Sequence, residues 1–307
     1  MRAAIVFPAA CVSLLFLLPL VPAGAGAEDA ADGGAPQGPY AAVLLKDLRT
    51  GRILKEHRAD APLPPASLTK IMTAALLLEQ SKPTDTVVIT RAAGPAARGA
   101  RIGLRPGEKY TVSDLLRLFL VTSANDACLA AAIHVAGTEG AFVDRMNLKA
   151  GALGLRATRF VNACGHDADG HLSTARDIMA LAEYAIRSRT FNEVAAIREG
   201  RAGPVNGRRS FRMEASNKLL AADPDLVGIK TGLTKKAGPC LVARSAGDGH
   251  DVLLVLLNAP DRWETARALL AEGRRLAAAE TTRPGARAES PGAAESESRA
   301  EELAGKM

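Results

Sequence analysis

The sequence predicts one mixed α+β domain spanning about residues 40–279. Three observations carry that expectation. An apolar hairpin opens the segment, helical runs fill its middle, and β-branched or leucine-rich strands followed by a helix close it. Strands gathered at both ends of a chain, with helices between, imply a sheet that joins the two ends and carries helices on its faces.

Taken in order, residues 40–46 are apolar and lead through Asp47 into a turn at 49–52, and residues 53–56 resume as a short strand. Pro62, Pro64 and Pro65 then break the chain, and residues 68–79 read as a helix whose middle, 71–78, is apolar nearly all round, hence central and buried. Pro106-Gly107 marks a turn, after which Thr111 or Ser113 caps a helix running through Leu120. Residues 126–135 and 138–150 read as two further helices, with Ser123 or Asn125 capping the first. Thr174, with Asp177 three residues on, starts a helix to about Arg187. Strands follow at 227–230, 240–244 and 252–258, and residues 262–279 form the closing helix. No internal repeat is visible.

Outside this unit the chain changes character. Arg2, the apolar run 3–20 and the small-x-small string Ala25-Gly26-Ala27 read as an export signal, residues 1–27, cleaved after Ala27; the alternative is an uncleaved N-terminal membrane anchor. Cys11 lies too early for a lipoprotein cleavage site, and no later segment is apolar for long enough to span a bilayer. The mature protein is therefore expected in the periplasm or extracytoplasmic envelope, touching membrane only through the signal if it is retained. Residues 28–39 read as a flexible spacer, and residues 280–307, rich in Glu, Ser, Ala, Arg and Pro, as a disordered tail. Net charge is +6, but the basic residues are scattered and aromatics make up only 4%, which argues against a base-stacking nucleic-acid surface. Cys128, Cys164 and Cys240 remain after the signal, an odd number at irregular spacing. That is no disulfide framework. One bridge plus a free thiol stays open beside three buried thiols, and a buried thiol is the preferred reading of Cys128.

Three short strings carry chemistry: Ser67-Leu68-Thr69-Lys70, Ser123-Ala124-Asn125 and Lys230-Thr231-Gly232. A serine at the start of a buried helix, with a lysine on the same helix face, supplies a nucleophile and a base without histidine, metal or cofactor. Such a lysine must shed its proton near neutral pH. From a reference of about 10.4, that asks for a drop of roughly three units, or about 4 kcal/mol. A helix N-terminus supplies about 0.3–1 kcal/mol, so burial and a second cation, Lys230, must supply the rest. The Ser123 hydroxyl can relay a proton to a leaving amine, and the Asn125 amide can orient substrate or Lys70. Lys230 and Thr231 suit a carboxylate, and Gly232 lets a substrate backbone lie against the strand edge. Residues 166–171, His-Asp-Ala-Asp-Gly-His, lack zinc spacing and a calcium-loop ligand count, and read as a turn.

With these strings, the segments PPASLTKIMTA, TVSDLLRLFLVTSANDACLAAA, FVDRMNLKAGALGL, TRFVNACGHDADGHLSTARD and SNKLLAADPDLVGIKTGLTKKAGPCLVA resemble, in order, the low-molecular-weight penicillin-binding proteins of the serine D-alanyl-D-alanine carboxypeptidase A type. The resemblance covers about residues 38–275. It implies a β-lactamase/transpeptidase-like α+β domain with a mostly antiparallel sheet. It implies Ser67 as the nucleophile acylated by peptidoglycan stem peptides, Lys70 as base, and Ser123 with Asn125 flanking the cleft. Lys230 with Thr231 would receive the terminal carboxylate, and the backbone N–H groups of Ser67 and Leu233 would form the oxyanion hole. β-Lactams would acylate Ser67 as dipeptide mimics. Leu233 stands where the family often has histidine or another polar residue, Pro239 where an aromatic is common, and Cys164 and His166 replace commoner residues. The family's usual second, β-rich domain finds no room in the sequence, and no amphipathic anchor helix is visible in the tail. The expected activity is removal of the terminal D-alanine from stem peptides. Alternatives are a D,D-endopeptidase on cross-links, a class A-like β-lactamase (for which residues 161–174 lack the activating glutamate) and a non-catalytic wall-binding protein.

Overall fold

The computed structural model describes residues 38–93 and 97–281. The export signal, nearly all of the spacer and all but the start of the expected tail lie outside the described residues.

β1 (Ala42–Asp47) and β2 (Ile53–His57) form the opening hairpin. A 3-10 turn (Ala66–Thr69) leads directly into α1 (Lys70–Gln80). A short hairpin, β3 (Thr86–Val88) and β4 (Lys109–Thr111), brackets a long loop before α2 (Val112–Val121), whose first turn is capped by the Thr111 hydroxyl accepting from Asp114 N–H. α3 (Asn125–Ala136) starts without a side-chain cap: its N-cap is Ala124, so neither Ser123 nor Asn125 takes that role. Both side chains are engaged elsewhere, as shown below. α4 (Glu139–Ala152) and α5 (Ala175–Ala185) follow, capped by Thr138 and Thr174. α6 (Arg189–Ala195), the hairpin β5 (Glu199–Ala202) and β6 (Phe211–Glu214), and α7 (Leu219–Ala222) then fill a stretch in which no element is expected. β7 (Leu226–Thr234), β8 (Gly238–Gly247), β9 (His250–Leu257) and α8 (Arg262–Thr281) complete the chain.

Among the described residues the main sheet is five-stranded and antiparallel, in the order β2-β1-β9-β8-β7. β1 and β9 pair at its centre with Leu44 opposite Val255, so the two ends of the fold meet there. The strand period of two sorts their side chains onto two cores. Ala42, Leu44, Leu253, Val255 and Leu257 face the helical layer built on α1, α2, α3 and α5. Val43, Leu45, Val252, Leu254 and Leu256 face α8 through Ala266, Leu269 and Leu270. Both faces are covered, which is why β9 reads as an unbroken apolar run rather than an alternating one. β7 is left at the sheet edge.

β7 runs through Gly232 to Thr234 instead of ending at the glycine, because Gly232 pairs with Cys240 and Leu233 with Pro239. A Cβ at Gly232 would meet Ala66 Cβ at 3.0 Å and Pro65 O at 3.2 Å. Glycine thus lets this edge strand lie flush against the turn carrying Ser67.

Candidate active site

The site forms where that turn, the start of α3 and β7 converge. Lys70 is fully buried at the first residue of α1. Its Nζ lies 3.0 Å from Ser67 Oγ, 2.7 Å from Asn125 Oδ1 and 2.6 Å from Cys164 O. The last two can only accept, so they take two N–H bonds. A neutral amine has two N–H groups and one lone pair, and the lone pair is left for the Ser67 hydroxyl. Burial, followed by the charge of Lys230, holds Lys70 well below the ordinary lysine range. The Asn125 amide is oriented by its own bond, Nδ2 donating to Arg98 O at 2.7 Å.

A second lysine–serine pair faces the first. Lys230 Nζ, also buried, bonds Ser123 Oγ at 3.0 Å and Thr231 O at 2.9 Å. Burial, with Arg262 as the second cause, brings Lys230 down to about 7. An arriving carboxylate would raise it again and keep it charged. Thr231 Oγ1 lies 2.7 Å from Ser216 Oγ. Leu233 is 62% exposed at the end of this strand, so its side chain is available to a ligand and takes no part in the core.

Three supports were not assigned in the sequence, although one bridge plus a free thiol was among its open readings. Arg262 Nη1 donates to Gly232 O at 2.6 Å and to Cys240 O at 3.2 Å, placing a half-buried guanidinium behind the Lys-Thr-Gly strand. Its partners are 22 to 30 positions away, and no local pattern marks it. Asp126, fully buried, accepts from the N–H groups of Ile102, Gly103 and Leu104 and so holds the loop over Asn125. The dipeptide Asn125-Asp126 was legible; its partner loop was not. Third, Cys128 and Cys164 are joined in a disulfide with Cα atoms 6.0 Å apart, which overturns the preferred reading of Cys128 as a thiol. Among the described residues Cys240 is the free cysteine, and it is buried. The pairing depends on the loop between α4 and α5 folding back onto α3, across 36 positions.

The turn at Ser67 is held in a strained form. Ala66 has φ +49°, a left-handed backbone that costs a non-glycine residue about 1–2 kcal/mol. Its carbonyl accepts from Thr69 Oγ1 at 2.8 Å, and Thr69 Oγ1 lies 2.9 Å from His171 Nε2. Val161 N–H donates to His171 Nδ1 at 3.0 Å, so the ring proton sits on Nε2 and points to Thr69. Residues 166–171 thus serve the fold: His171 braces the turn carrying Ser67 through Thr69, Asp167 accepts from Thr234 Oγ1 and Lys236 N–H, and Asp169 pairs with Lys236.

Burial pushes His171 down to about 4. The unfolded chain takes up this proton below about 6.5, and the folded chain only below about 4. Between those values the unfolded state binds more protons, so stability is full above the upper value and declines as pH falls toward the lower one. The span corresponds to about 3 kcal/mol. Urea unfolding at pH 7 and pH 4.5 should show this loss, and the His171→Gln protein should show a smaller one. Gly165 gives a second test. It has φ +86°, and a Cβ there would sit 1.9 Å from Ala66 O. Gly165→Ala is expected to lose about 3 kcal/mol, from the left-handed backbone plus the overlap, seen as a lowered urea midpoint; an unchanged midpoint would mean that the loop does not press on the turn.

A family model described as D-alanyl-D-alanine carboxypeptidase, peptidase S11, matches residues 34–261. The D-alanyl-D-alanine carboxypeptidase DacC of Escherichia coli (strain K12) is 36% identical over 255 residues, covering 80% of this chain and 62% of that protein. The D-alanyl-D-alanine endopeptidase of the same organism is 30% identical over 251 residues, covering 81% of each. Among solved structures, the Streptomyces K15 DD-transpeptidase superposes with a TM-score of 0.73 at 28% identity, over 78% of this chain and 98% of that one. The expected fold is thereby established: the domain has the β-lactamase-like architecture of the penicillin-binding proteins. The chain belongs to the peptidase S11, or D-alanyl-D-alanine carboxypeptidase, family.

Proposed function

We propose that this chain is a serine D,D-carboxypeptidase that removes the terminal D-alanine from peptidoglycan stem peptides. The observation that carries the reading is the buried Lys70 amine, bound by two carbonyl oxygens so that its lone pair faces Ser67. In this reading Lys70 takes the proton of the Ser67 hydroxyl as Oγ attacks the penultimate carbonyl. The backbone N–H groups of Ser67 and Leu233 receive the developing oxyanion. The peptide lies along the free edge of β7, with its terminal carboxylate on Lys230 and Thr231 and the Arg262 guanidinium behind them. Asn125 fixes Lys70 and lines the cleft, and Gly232 keeps the edge open. Ser123, bonded to Lys230, passes a proton to the departing amine. Water then hydrolyses the ester on Ser67. A β-lactam opens on the same serine and stays there.

The relative named as an endopeptidase supports a second reading, in which the same groups cut a cross-link; the chemistry is identical and only the leaving amine is larger. One experiment addresses both. Purified protein is incubated with a pentapeptide ending in D-alanyl-D-alanine and, separately, with cross-linked muropeptide dimers. Intact-mass measurement after penicillin runs in parallel. The carboxypeptidase reading expects D-alanine from the pentapeptide and a stable adduct of penicillin mass. Release of monomers from dimers alone would transfer the assignment to the endopeptidase. No adduct and no product would remove both, and rapid penicillin turnover would indicate a β-lactamase.

Export is part of the proposal. No helix among the described residues is long and apolar enough to cross a membrane. Amino-terminal sequencing of protein recovered from the cell envelope should begin at Glu28; a start at Met1 would mean that the signal is kept as an anchor.

A further inference from the structure

The Cys128–Cys164 disulfide does not touch the reacting atoms, yet it ends on the pieces that hold them. Cys128 lies one turn along α3 from Asn125. Cys164 lies in the loop between α4 and α5. The two carbonyl oxygens that bind Lys70 Nζ come one from each segment: Oδ1 of Asn125 and the backbone oxygen of Cys164 itself. The cystine is thus a covalent tie between the two acceptors. Apart from contacts of the cystine sulfurs themselves with Asn125 O and Ala163 O, the loop's other side-chain bonds among the described residues lead elsewhere. Asn162 Oδ1 gathers the N–H groups of Cys164, Gly165 and His166, which ties the loop to itself. Thr73 Oγ1 donates to Ala163 O, which ties it to α1. Glu139 receives Ala163 N–H, which ties it to α4.

We propose that the Cys128–Cys164 disulfide is a positioning element for the Lys70 base, fixing the spacing of its two acceptors so that the amine lone pair stays on Ser67. This inference rests on the acyl-transfer reading of the site. Both cysteines are buried, at 0% and 2% exposure, so the bond is shielded from passing thiols and serves as a permanent strut. Breaking it takes two electrons and two protons from a dithiol such as dithiothreitol, which closes to its own cyclic disulfide and leaves two thiols on the protein. Two thiols cannot remain at bonding distance. They separate to van der Waals contact by rotating their side chains or by shifting α3 or the loop, and any such shift carries one acceptor away from Lys70.

Positioning can be separated from plain stability by following the second-order rate of acylation by a fluorescent penicillin as a function of pH. The protein forms compared are the oxidised wild type, the double variant Cys128→Ser/Cys164→Ser, and wild type reduced with dithiothreitol in mild urea and then diluted. The titratable and charged groups around Lys70 are Lys230 from β7 and His166 from the loop, and His166 in turn feels Glu139 of α4, Arg98 and Asp167. They are unchanged in every form. The expected result is a fall of about 10- to 100-fold, in line with small displacements of a catalytic group. The acidic limb of the profile should also move to higher pH, as a loosened amine regains water. Leu270→Ala, which opens the layer between the sheet and α8, should lose stability while keeping both rate and limb. The proposal is overturned if the double variant, or the reduced wild type shown by near-ultraviolet circular dichroism to be folded, acylates at the wild-type rate with an unmoved limb. If the oxidised wild type takes up no penicillin at all, the acyl-transfer reading falls first and this inference with it.

Discussion

Replacing Ser67 with alanine is expected to abolish the penicillin adduct and to lower D-alanine release by up to about a million-fold, the scale seen when a serine nucleophile is removed from a hydrolase. The loss should fall on turnover rather than on binding. The groups assigned to the substrate carboxylate, Lys230, Thr231 and Arg262, do not depend on the Ser67 hydroxyl for their contacts. Titration of the variant with a pentapeptide should therefore give a dissociation constant near that of the wild type. The experiment also chooses between two serines. The site holds two lysine–serine pairs, each at 3.0 Å, and distance alone does not say which serine attacks. The surroundings do. Lys70 has two carbonyl acceptors and a strongly depressed pKa, while Lys230 stays protonated up to about pH 7 and is suited to hold an anion. A penicillin adduct on Ser123 in the Ser67→Ala protein would reverse this assignment. Undiminished D-alanine release without any adduct would remove the acyl-enzyme altogether.

Most of the groups to which the proposed reaction is assigned were legible because their chemistry is local. Ser67 and Lys70 share one helix face three positions apart, and Lys230-Thr231-Gly232 sits on a strand whose apolar approach identifies it. The cores were legible for a similar reason, since a run such as Val252–Leu257 has to be covered on both faces. What stayed hidden depends on contacts that exist only after folding. Strands β5 and β6 read Glu-Gly-Arg-Ala and Phe-Arg-Met-Glu. Neither is apolar enough to announce a strand, and they pair because the loop between them closes on β4, through Val205 N–H to Lys109 O and Lys109 N–H to Asn206 Oδ1. The seven residues of α6 are too few to show a helical period, although Ser188 caps them. Asn125 was expected either to cap a helix or to orient substrate or Lys70; the first expectation failed because its side chain is spent on Lys70 and Arg98. Cys128 was misjudged because an odd cysteine count says nothing about which loop lies over α3. Arg262 was missed because a lone arginine at a helix start has no signature until Gly232 O appears beside it.

Lys70→Arg discriminates a base from a mere cation, and its effect should approach that of removing the serine. Arginine keeps a positive charge, a long stem and several donors, so it could still reach Asn125 Oδ1 and Cys164 O. It cannot give up its proton in a protein. If Lys70 acts only by charge, arginine should retain much of the acylation rate. If Lys70 is the base, the guanidinium has no lone pair for the Ser67 hydroxyl, and acylation should fall by at least about a thousandfold, within the span attributed to general bases. Fixing a permanent charge in a fully buried position beside Lys230 also forfeits the relief that wild-type protein obtains by holding Lys70 neutral. The variant should accordingly be less stable, and Lys230 should be driven lower still by the new cation. Lys70→Met provides the complementary arm: it removes the amine altogether, adds no cation beside Lys230, and should be as slow in acylation as the arginine variant while losing less stability. Equal slowness with unequal stability is the signature expected of a base. A fast arginine variant beside a slow methionine variant would assign Lys70 the part of an electrostatic anchor, and would require another group to take the serine proton.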